Sequence, residues 1–122
     1  MLIPFLISKI HDARVTGANI NYSGSISIDP DIITKAGLRE FQKVEVYNIN
    51  NGNRLSTYVI AAQKGSRDFV LNGAAARLVA AGDRIIVAAY ALLDERELNS
   101  LNATILLMDD KNNIERIITG KL

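Results

Sequence analysis

The distribution of apolar and polar positions predicts a chain built mainly from short β-strands. Residues 3–15 predict a long first strand, and turn residues separate the shorter apolar segments that follow it. Further strands are expected at 19–22, 25–28, 43–49, 54–62, 68–71, 84–92, 105–108 and 114–118. Short strands divided by turns are typical of a small barrel or sandwich, and the run at 84–92 is apolar enough to be buried.

Cap and turn residues predict the few helical segments. Asp29 suits the N-cap position, Pro30 the first helical position and Gly37 the residue that ends the helix. An Asn-Gly pair is the strongest short signal for a hairpin, and Asp followed three residues later by Glu resembles a capping box. Short helices are therefore expected at 30–37, 74–80 and 94–97, and hairpin turns at 51–52 and 109–113.

Composition restricts the possible functions. A chain of 122 residues with 48% apolar and 22% charged residues is expected to form one folded domain. The net charge of +1 without a dense basic run disfavours nucleic acid as a partner. Residues 1–7 are apolar but lack the features of a signal peptide, and no run is long enough for a membrane span, so a cytoplasmic protein is expected. The absence of cysteine and the single His11 disfavour disulfides and the usual zinc sites, so no metal is expected.

One dipeptide, Gly24-Ser25, suggests backbone chemistry. The serine hydroxyl lies close to the unhindered carbonyl of a flexible glycine, so an N-to-O acyl shift can form an ester. Elimination from that ester leaves dehydroalanine, which hydrolyses to ammonia and a pyruvoyl group. Most Gly-Ser pairs are simple turns, so the dipeptide alone does not establish this reaction.

The surrounding residues strengthen the interpretation. Four blocks carry it: Lys9-Ile10-His11, Tyr22-Ser23-Gly24-Ser25, residues 51–58 (Asn-Gly-Asn-Arg-Leu-Ser-Thr-Tyr) and residues 72–76 (Asn-Gly-Ala-Ala-Ala). In content, order and spacing they closely resemble the pyruvoyl-dependent aspartate 1-decarboxylases. The resemblance runs from about Lys9 to Tyr90 and fades over the last thirty or so residues.

The resemblance implies a six-stranded double-psi β-barrel with short helices, assembled as a homotetramer. It implies self-cleavage of the single domain, residues 1–122, between Gly24 and Ser25 into a β chain (1–24) and an α chain (25–122). It also implies that L-aspartate is decarboxylated to β-alanine and CO2 for pantothenate and coenzyme A synthesis. The cofactor would be the pyruvoyl group formed from Ser25, with neither pyridoxal phosphate nor a metal. Some relatives need a maturation partner.

Residue roles are carried over by resemblance. Ser25 becomes the pyruvoyl group that forms a Schiff base with the substrate amine, and Tyr58 is the proton donor after CO2 leaves. Thr57 promotes cleavage by hydrogen bonding near Gly24 and also lines the substrate site. The other substrate-binding residues are Lys9, Arg54, Asn72, Gly73, Ala74 and Ala75, and the supporting residues are His11 and Tyr22.

Strand geometry adds to these roles. Lys9 and His11 are two residues apart and share a face if the first strand is regular, whereas the adjacent Thr57 and Tyr58 face opposite ways unless the strand is bulged. Arg54 offers a rigid fork of donors that matches a carboxylate. We expect the retained β-carboxylate of aspartate to bind Arg54 and Lys9, but the sequence leaves open which carboxylate meets which cation.

The chain also departs from the family pattern. Position 23 is Ser where better-known members have Glu, and position 47 is Tyr where some have Trp. Residues 113–122 carry no motif of the family. A non-enzymatic β-barrel interaction module with an intact Gly24-Ser25 turn remains the alternative. A serine hydrolase is disfavoured, because His11 is the only histidine and no nucleophile elbow is present.

Overall fold

The architecture is that of a computed structural model, which describes residues 1–121. This part of the chain contains one α-helix, two 3-10 helices and nine strands. The strands are β1 (Ile3–Arg14), β2 (Gly17–Asn19), β3 (Ser25–Ile28), β4 (Lys43–Asn48), β5 (Arg54–Ala61), β6 (Phe69–Asn72), β7 (Arg84–Leu93), β8 (Asn102–Met108) and β9 (Ile114–Lys121). The helix α1 spans Pro30–Ala36, and the 3-10 helices span Gly73–Leu78 and Glu95–Ser100.

The strands are hydrogen-bonded in the order β2-β6-β3-β5-β4-β7-β1-β8-β9. Most neighbouring pairs are antiparallel, but β1 with β8, β2 with β6 and β3 with β5 are parallel. The mainly β structure with short helices predicted from the sequence is confirmed, and it is consistent with a barrel. The ladder itself does not close, because β2 and β9 lie at its two ends.

Alternation along the strands builds the core. On β3 Ile26 and Ile28 are fully buried, and on β4 Val44 and Val46 alternate with more exposed residues. Each such aliphatic side chain contributes about 1.5–3 kcal/mol when removed from water. The buried core side chains on the other strands are Ile10, Ala13, Val59, Phe69, Leu71, Ile85, Val87, Ala89, Leu106 and Met108.

Helix α1 forms as its cap residues predict. The Asp29 carboxylate accepts a hydrogen bond from the Asp31 backbone N–H, and Pro30 occupies the first turn. Gly37 ends the helix in the left-handed conformation, with φ of 72°. The Ser8 hydroxyl donates to the Ala36 carbonyl at 2.6 Å, which attaches the helix to β1.

The other predicted turns are also present. Strands β4 and β5 form an antiparallel hairpin around Asn51 and Gly52, and Gly52 has the positive φ (77°) that such turns require. Strands β8 and β9 form the final hairpin. The capping box is formed. The Asp94 side chain accepts a hydrogen bond from the Arg96 N–H, and the Glu97 side chain accepts one from the Asp94 N–H.

Several predicted boundaries differ from the structure. Strand β8 begins at Asn102 and not at 105, and β9 continues to Lys121 and not only to 118. The second strand covers Gly17–Asn19 and not 19–22, because it ends where its pairing with β6 ends. The next residues turn, and the Tyr22 N–H donates to the Asn19 carbonyl. The helix predicted at 74–80 is a 3-10 helix that begins one residue earlier, at Gly73. No helix within residues 1–121 has the length and apolar character to cross a membrane.

Candidate active site

Ser25 lies at the start of β3, directly after the exposed Gly24. Only 1% of its surface is exposed. Its hydroxyl donates to the Ser23 carbonyl at 3.1 Å and accepts a hydrogen bond from the Asn72 side-chain amide at 3.0 Å. The hydroxyl is therefore held on two sides, next to the exposed Gly24.

Asn72 is the last residue of β6 and pairs with Ser25 in the antiparallel ladder. Its side chain is buried, and its amide nitrogen donates both to Ser25 Oγ and, at 2.9 Å, to Ser27 Oγ. The residue also stands at the N-cap of the first 3-10 helix, yet its side chain makes no capping hydrogen bond. The amide is thus directed to the two serines of β3.

Gly73 lies against the backbone of Gly24. A Cβ atom at residue 73 would lie 2.7 Å from the Gly24 Cα, 2.8 Å from the Gly24 nitrogen and 3.1 Å from the Tyr22 carbonyl oxygen. Gly73 also has a positive φ of 68°. Both the conformation and the close approach require glycine at this position. Of the next residues, Ala74 is exposed and Ala75 packs against the core.

Strand β5 carries three of the predicted site residues. Its register with β4 is regular, so Arg54 and Tyr58 share the exposed face and Thr57 points the opposite way. Ser27 pairs with Ile60 on β5, and alternation then places Ser25 and Tyr58 on one face of the sheet. The Thr57 hydroxyl makes no side-chain hydrogen bond within residues 1–121, so its role near Gly24 stays a prediction.

Aromatic residues support two of the exposed side chains of β5, those of Arg54 and Tyr58. The Tyr58 ring packs against Phe41, with ring centroids 6.1 Å apart. The Arg54 guanidinium lies over the Tyr47 ring, 4.5 Å from its centroid. A hydrogen bond between the Tyr47 and Tyr90 hydroxyls at 3.0 Å, together with burial, raises the pKa of Tyr47 to about 12. The ring below Arg54 therefore stays neutral.

Arg54 takes part in none of the ion pairs found among residues 1–121. Its planar fork of donors is held by stacking and is not neutralised by a carboxylate of the described chain. An arginine in this state suits an anionic ligand. Within the same residues no cluster of three or more His, Asp or Glu side chains could hold a metal ion.

Lys9 and His11 are placed apart from these residues. They share a face of β1, as predicted, because the register with β7 is regular from Ser8 to His11. Strands β7 and β4 separate β1 from β5 in the sheet. Within residues 1–121 no hydrogen bond joins either side chain to β3 or β5, and the buried His11 Nδ1 atom has no hydrogen-bond partner.

Comparison with known proteins identifies the family to which this site belongs. Residues 1–115 match the model of the aspartate decarboxylase family. The chain belongs to the aspartate decarboxylase family. The match extends beyond the segment from Lys9 to Tyr90 that the motifs indicate, so the predicted extent of the resemblance was too short at both ends.

Curated relatives in this family match nearly the whole chain. The aspartate 1-decarboxylase of Aliarcobacter butzleri is 56% identical over 122 residues, which cover 100% of this chain and 95% of the relative. That of Wolinella succinogenes is 54% identical over 117 residues, with 96% and 97% covered. That of Sulfurimonas denitrificans is 52% identical over 118 residues, with 97% and 98% covered.

Two residues that contact the candidate site residues are missed by sequence reasoning. Ser27 is predicted only as a strand residue, although Ser25-Ile26-Ser27-Ile28 places a second hydroxyl on the same face as Ser25. That alternation was the available signal. Phe41 lies in a loop, and nothing in the sequence relates it to Tyr58 before the chain folds.

Proposed function

We propose that this chain is an aspartate 1-decarboxylase that converts L-aspartate to β-alanine and CO2 and so supplies pantothenate synthesis. Family membership and relatives of that name over the full chain support this activity. The proposal includes self-cleavage between Gly24 and Ser25, which yields a fragment of residues 1–24 and one of residues 25–122.

The buried Ser25 hydroxyl beside the exposed Gly24 is the observation that carries the proposal. As the Ser25 oxygen bonds to the Gly24 carbonyl carbon, the peptide C–N bond breaks and an ester forms. Loss of the Ser25 α-proton then breaks the Cβ–Oγ bond and releases Gly24 as a carboxylate. Water converts the remaining dehydroalanine to a pyruvoyl group and ammonia.

The surroundings of Ser25 fit such a small group. Gly73 lets the backbone of Gly24 approach closely, and the Asn72 amide can hold an oxygen atom at position 25. The pyruvoyl group supplies a ketone that binds the substrate amine and withdraws electrons as CO2 leaves. Binding of the substrate carboxylate and proton donation are assigned to other side chains.

Arg54 is the best-supported partner for a substrate carboxylate, because its guanidinium is stacked on Tyr47 and available. Lys9 keeps the substrate-binding role that the resemblance gives it. Because β4 and β7 separate it from Arg54 within one chain, that role requires Lys9 of a second copy in the proposed homotetramer. Tyr58 donates a proton to the substrate carbon from which CO2 has left. Its exposed position on the face shared with Ser25 supports that role.

The proposed site is completed by five further residues in the roles that the resemblance gives them: Thr57, Ala74, Ala75, His11 and Tyr22. We also propose a homotetramer in the cytoplasm. A maturation factor is part of the proposal only if the purified chain fails to cleave itself.

The mass of the purified protein tests the proposal. We expect two species that correspond to residues 1–24 and 25–122, the larger blocked to Edman sequencing because its terminus lacks an amine. Ser25→Ala should remain one species and form no β-alanine. An uncleaved wild type that decarboxylates aspartate would exclude the pyruvoyl mechanism. An uncleaved, inactive one would favour the interaction module if it also stays uncleaved in an extract of its own source cells, where a maturation factor would be present.

A further inference from the structure

Two serine hydroxyls on β3 share one amide donor. The Asn72 nitrogen carries two hydrogens and donates to Ser25 Oγ at 3.0 Å and to Ser27 Oγ at 2.9 Å. Ser25 and Ser27 are two residues apart on the strand and point to the same side. Asn72 is buried, so both hydrogens need acceptors from the protein.

Formation of the cofactor removes one of these acceptors. In the proposed cleavage, the Ser25 oxygen bonds to the Gly24 carbonyl carbon and then leaves with it as part of the new carboxylate. The hydroxyl that accepted from Asn72 no longer exists at position 25. Ser27 takes no part in that chemistry and keeps its hydroxyl.

We propose that Ser27 is a positioning residue that holds the Asn72 amide in place after the Ser25 hydroxyl has been lost. The catalytic consequence of this inference rests on the proposed function. The hydrogen bond from Asn72 to Ser27 is independent of that function. One amide hydrogen stays anchored on Ser27, and the other is released to face the group at position 25. The hydrogen bond to Ser27 is therefore more important in the mature enzyme than in its precursor.

The first test measures the anchor without any activity. Ser25→Ala cannot cleave and lacks the hydroxyl, so Ser27 is the remaining serine acceptor for Asn72. In this background, Ser27→Ala should lower the Tm by about 3–8 °C while Asn72 is present, because a buried donor is left without a partner. Once Asn72 is also replaced by Ala, Ser27→Ala should lower the Tm by only roughly 0–2 °C.

Equal losses with and without Asn72 would show that Ser27 contributes only packing, which overturns the proposal. This thermal cycle measures the coupling of Ser27 to Asn72 even if the chain proves not to be a decarboxylase. Failure of the proposed function appears instead as an uncleaved or inactive wild type.

The second test separates maturation from turnover. With Ser25 intact, Ser27→Ala should cleave at a rate within about threefold of wild type, because Asn72 still has its other acceptor. After cleavage, kcat per cleaved subunit should fall about tenfold or more, with KM little changed, since the amide is no longer fixed. Ser27→Thr keeps a hydroxyl and should recover most of the kcat.

The control is Ser100→Ala, which removes an exposed hydroxyl on the second 3-10 helix, and it should match wild type in both steps. A Ser27→Ala protein with normal kcat per cleaved subunit contradicts the proposal. So does a Ser27→Thr protein as slow as Ser27→Ala.

Discussion

The guanidinium of Arg54 is fixed by an aromatic ring and not by an acid. It stacks over Tyr47, its cross-strand partner on β4, and the hydrogen bond to Tyr90 helps to keep that ring neutral. A side chain ordered in advance loses less conformational entropy when it binds a carboxylate. Tyr47 thus supplies the aromatic support that the proposed role of Arg54 needs.

We expect Arg54→Ala to lose about 2 kcal/mol of transition-state stabilisation, roughly thirtyfold in kcat/KM, because a charge-assisted pair is lost. Arg54→Lys should recover only part of it, since an ammonium cannot offer the planar fork. Steady-state kinetics with L-aspartate measures both. Arg39→Ala removes an exposed arginine elsewhere and serves as control. Wild-type kinetics in both Arg54 variants would move the carboxylate-binding role to another residue.

Tyr58 allows a test of proton donation apart from cleavage. Tyr58→Phe keeps the ring that packs against Phe41 and removes only the hydroxyl. Cleavage at Gly24-Ser25 should be unchanged, whereas β-alanine formed per cleaved subunit should fall about a hundredfold or more. Mass spectrometry gives the cleaved fraction and a product assay gives the turnover. Loss of cleavage, with normal turnover in the subunits that do cleave, would reverse this assignment.

At the scale of elements, one carbonyl joins the β4–β5 turn to the segment that contains Gly73. The side-chain amides of Asn48, Asn51 and Asn53 all donate to the Leu78 carbonyl, at 3.3, 3.2 and 3.2 Å. Leu78 ends the 3-10 helix that Gly73 begins. The turn before Arg54 and the backbone beside Gly24 are therefore held in one network.

A second junction is made by the buried Asp29. Its carboxylate accepts from the backbone N–H groups of Asp31, Gly65 and Arg67, at 2.9, 3.1 and 2.8 Å. It thereby ties the end of β3 and the start of α1 to the loop before β6. Burial alone would raise the pKa of Asp29, but these backbone hydrogen bonds outweigh it and lower the pKa below 3.8.

Asp29→Asn should lower stability by about 2 kcal/mol or more at neutral pH, because the charged acceptor for three N–H groups is lost. A lowered folded-state pKa gives stability that is present above the unfolded value of 3.8 and lost as pH falls through the folded value. The Tm difference between wild type and variant should therefore be constant above about pH 5 and shrink below 3.8.

Thermal melts between pH 2 and pH 7, values chosen to span roughly the range in which carboxyl groups titrate, measure this difference. Asp31→Asn changes an exposed acid in the first turn of the same helix and should alter the Tm much less. A Tm difference that stays constant down to the lowest pH would show that the Asp29 charge does not contribute.

For the whole molecule, the proposed cleavage divides the sheet without opening it. Residues 1–24 contain β1 and β2, and the other strands follow the cleavage site. Strand β1 lies between β7 and β8 and pairs with both, while β2 pairs with β6. Strand β1 of the short fragment is therefore an internal strand of the sheet, while β2 forms one of its ends.

We expect the two fragments to stay together after cleavage. They should coelute in gel filtration under native conditions, with the same elution volume as uncleaved Ser25→Ala, and separate only in denaturant. The reason is that Ile10 and Ala13 of the short fragment are fully buried in the core. Loss of the fragment during native gel filtration would contradict the strand pairing described for β1.

The sequence determined the elements with local signals. The caps of α1, the hairpin at Asn51-Gly52 and the capping box at Asp94 depend on side chains a few residues apart, so their prediction was correct. The boundary of the second strand was wrong, because β6 decides where it ends. The motif residues around Ser25 were also readable, since they lie in short contiguous blocks of the sequence.

Tertiary structure alone decided which of these residues meet. Ser25 and Asn72 are 47 positions apart and become neighbours only when β3 pairs with β6. The contact of Gly73 with Gly24 and the separation of Lys9 from β5 follow from the same strand order. Periodicity shows which face of a strand a residue occupies, but the partner strand is chosen by the packing of the whole core.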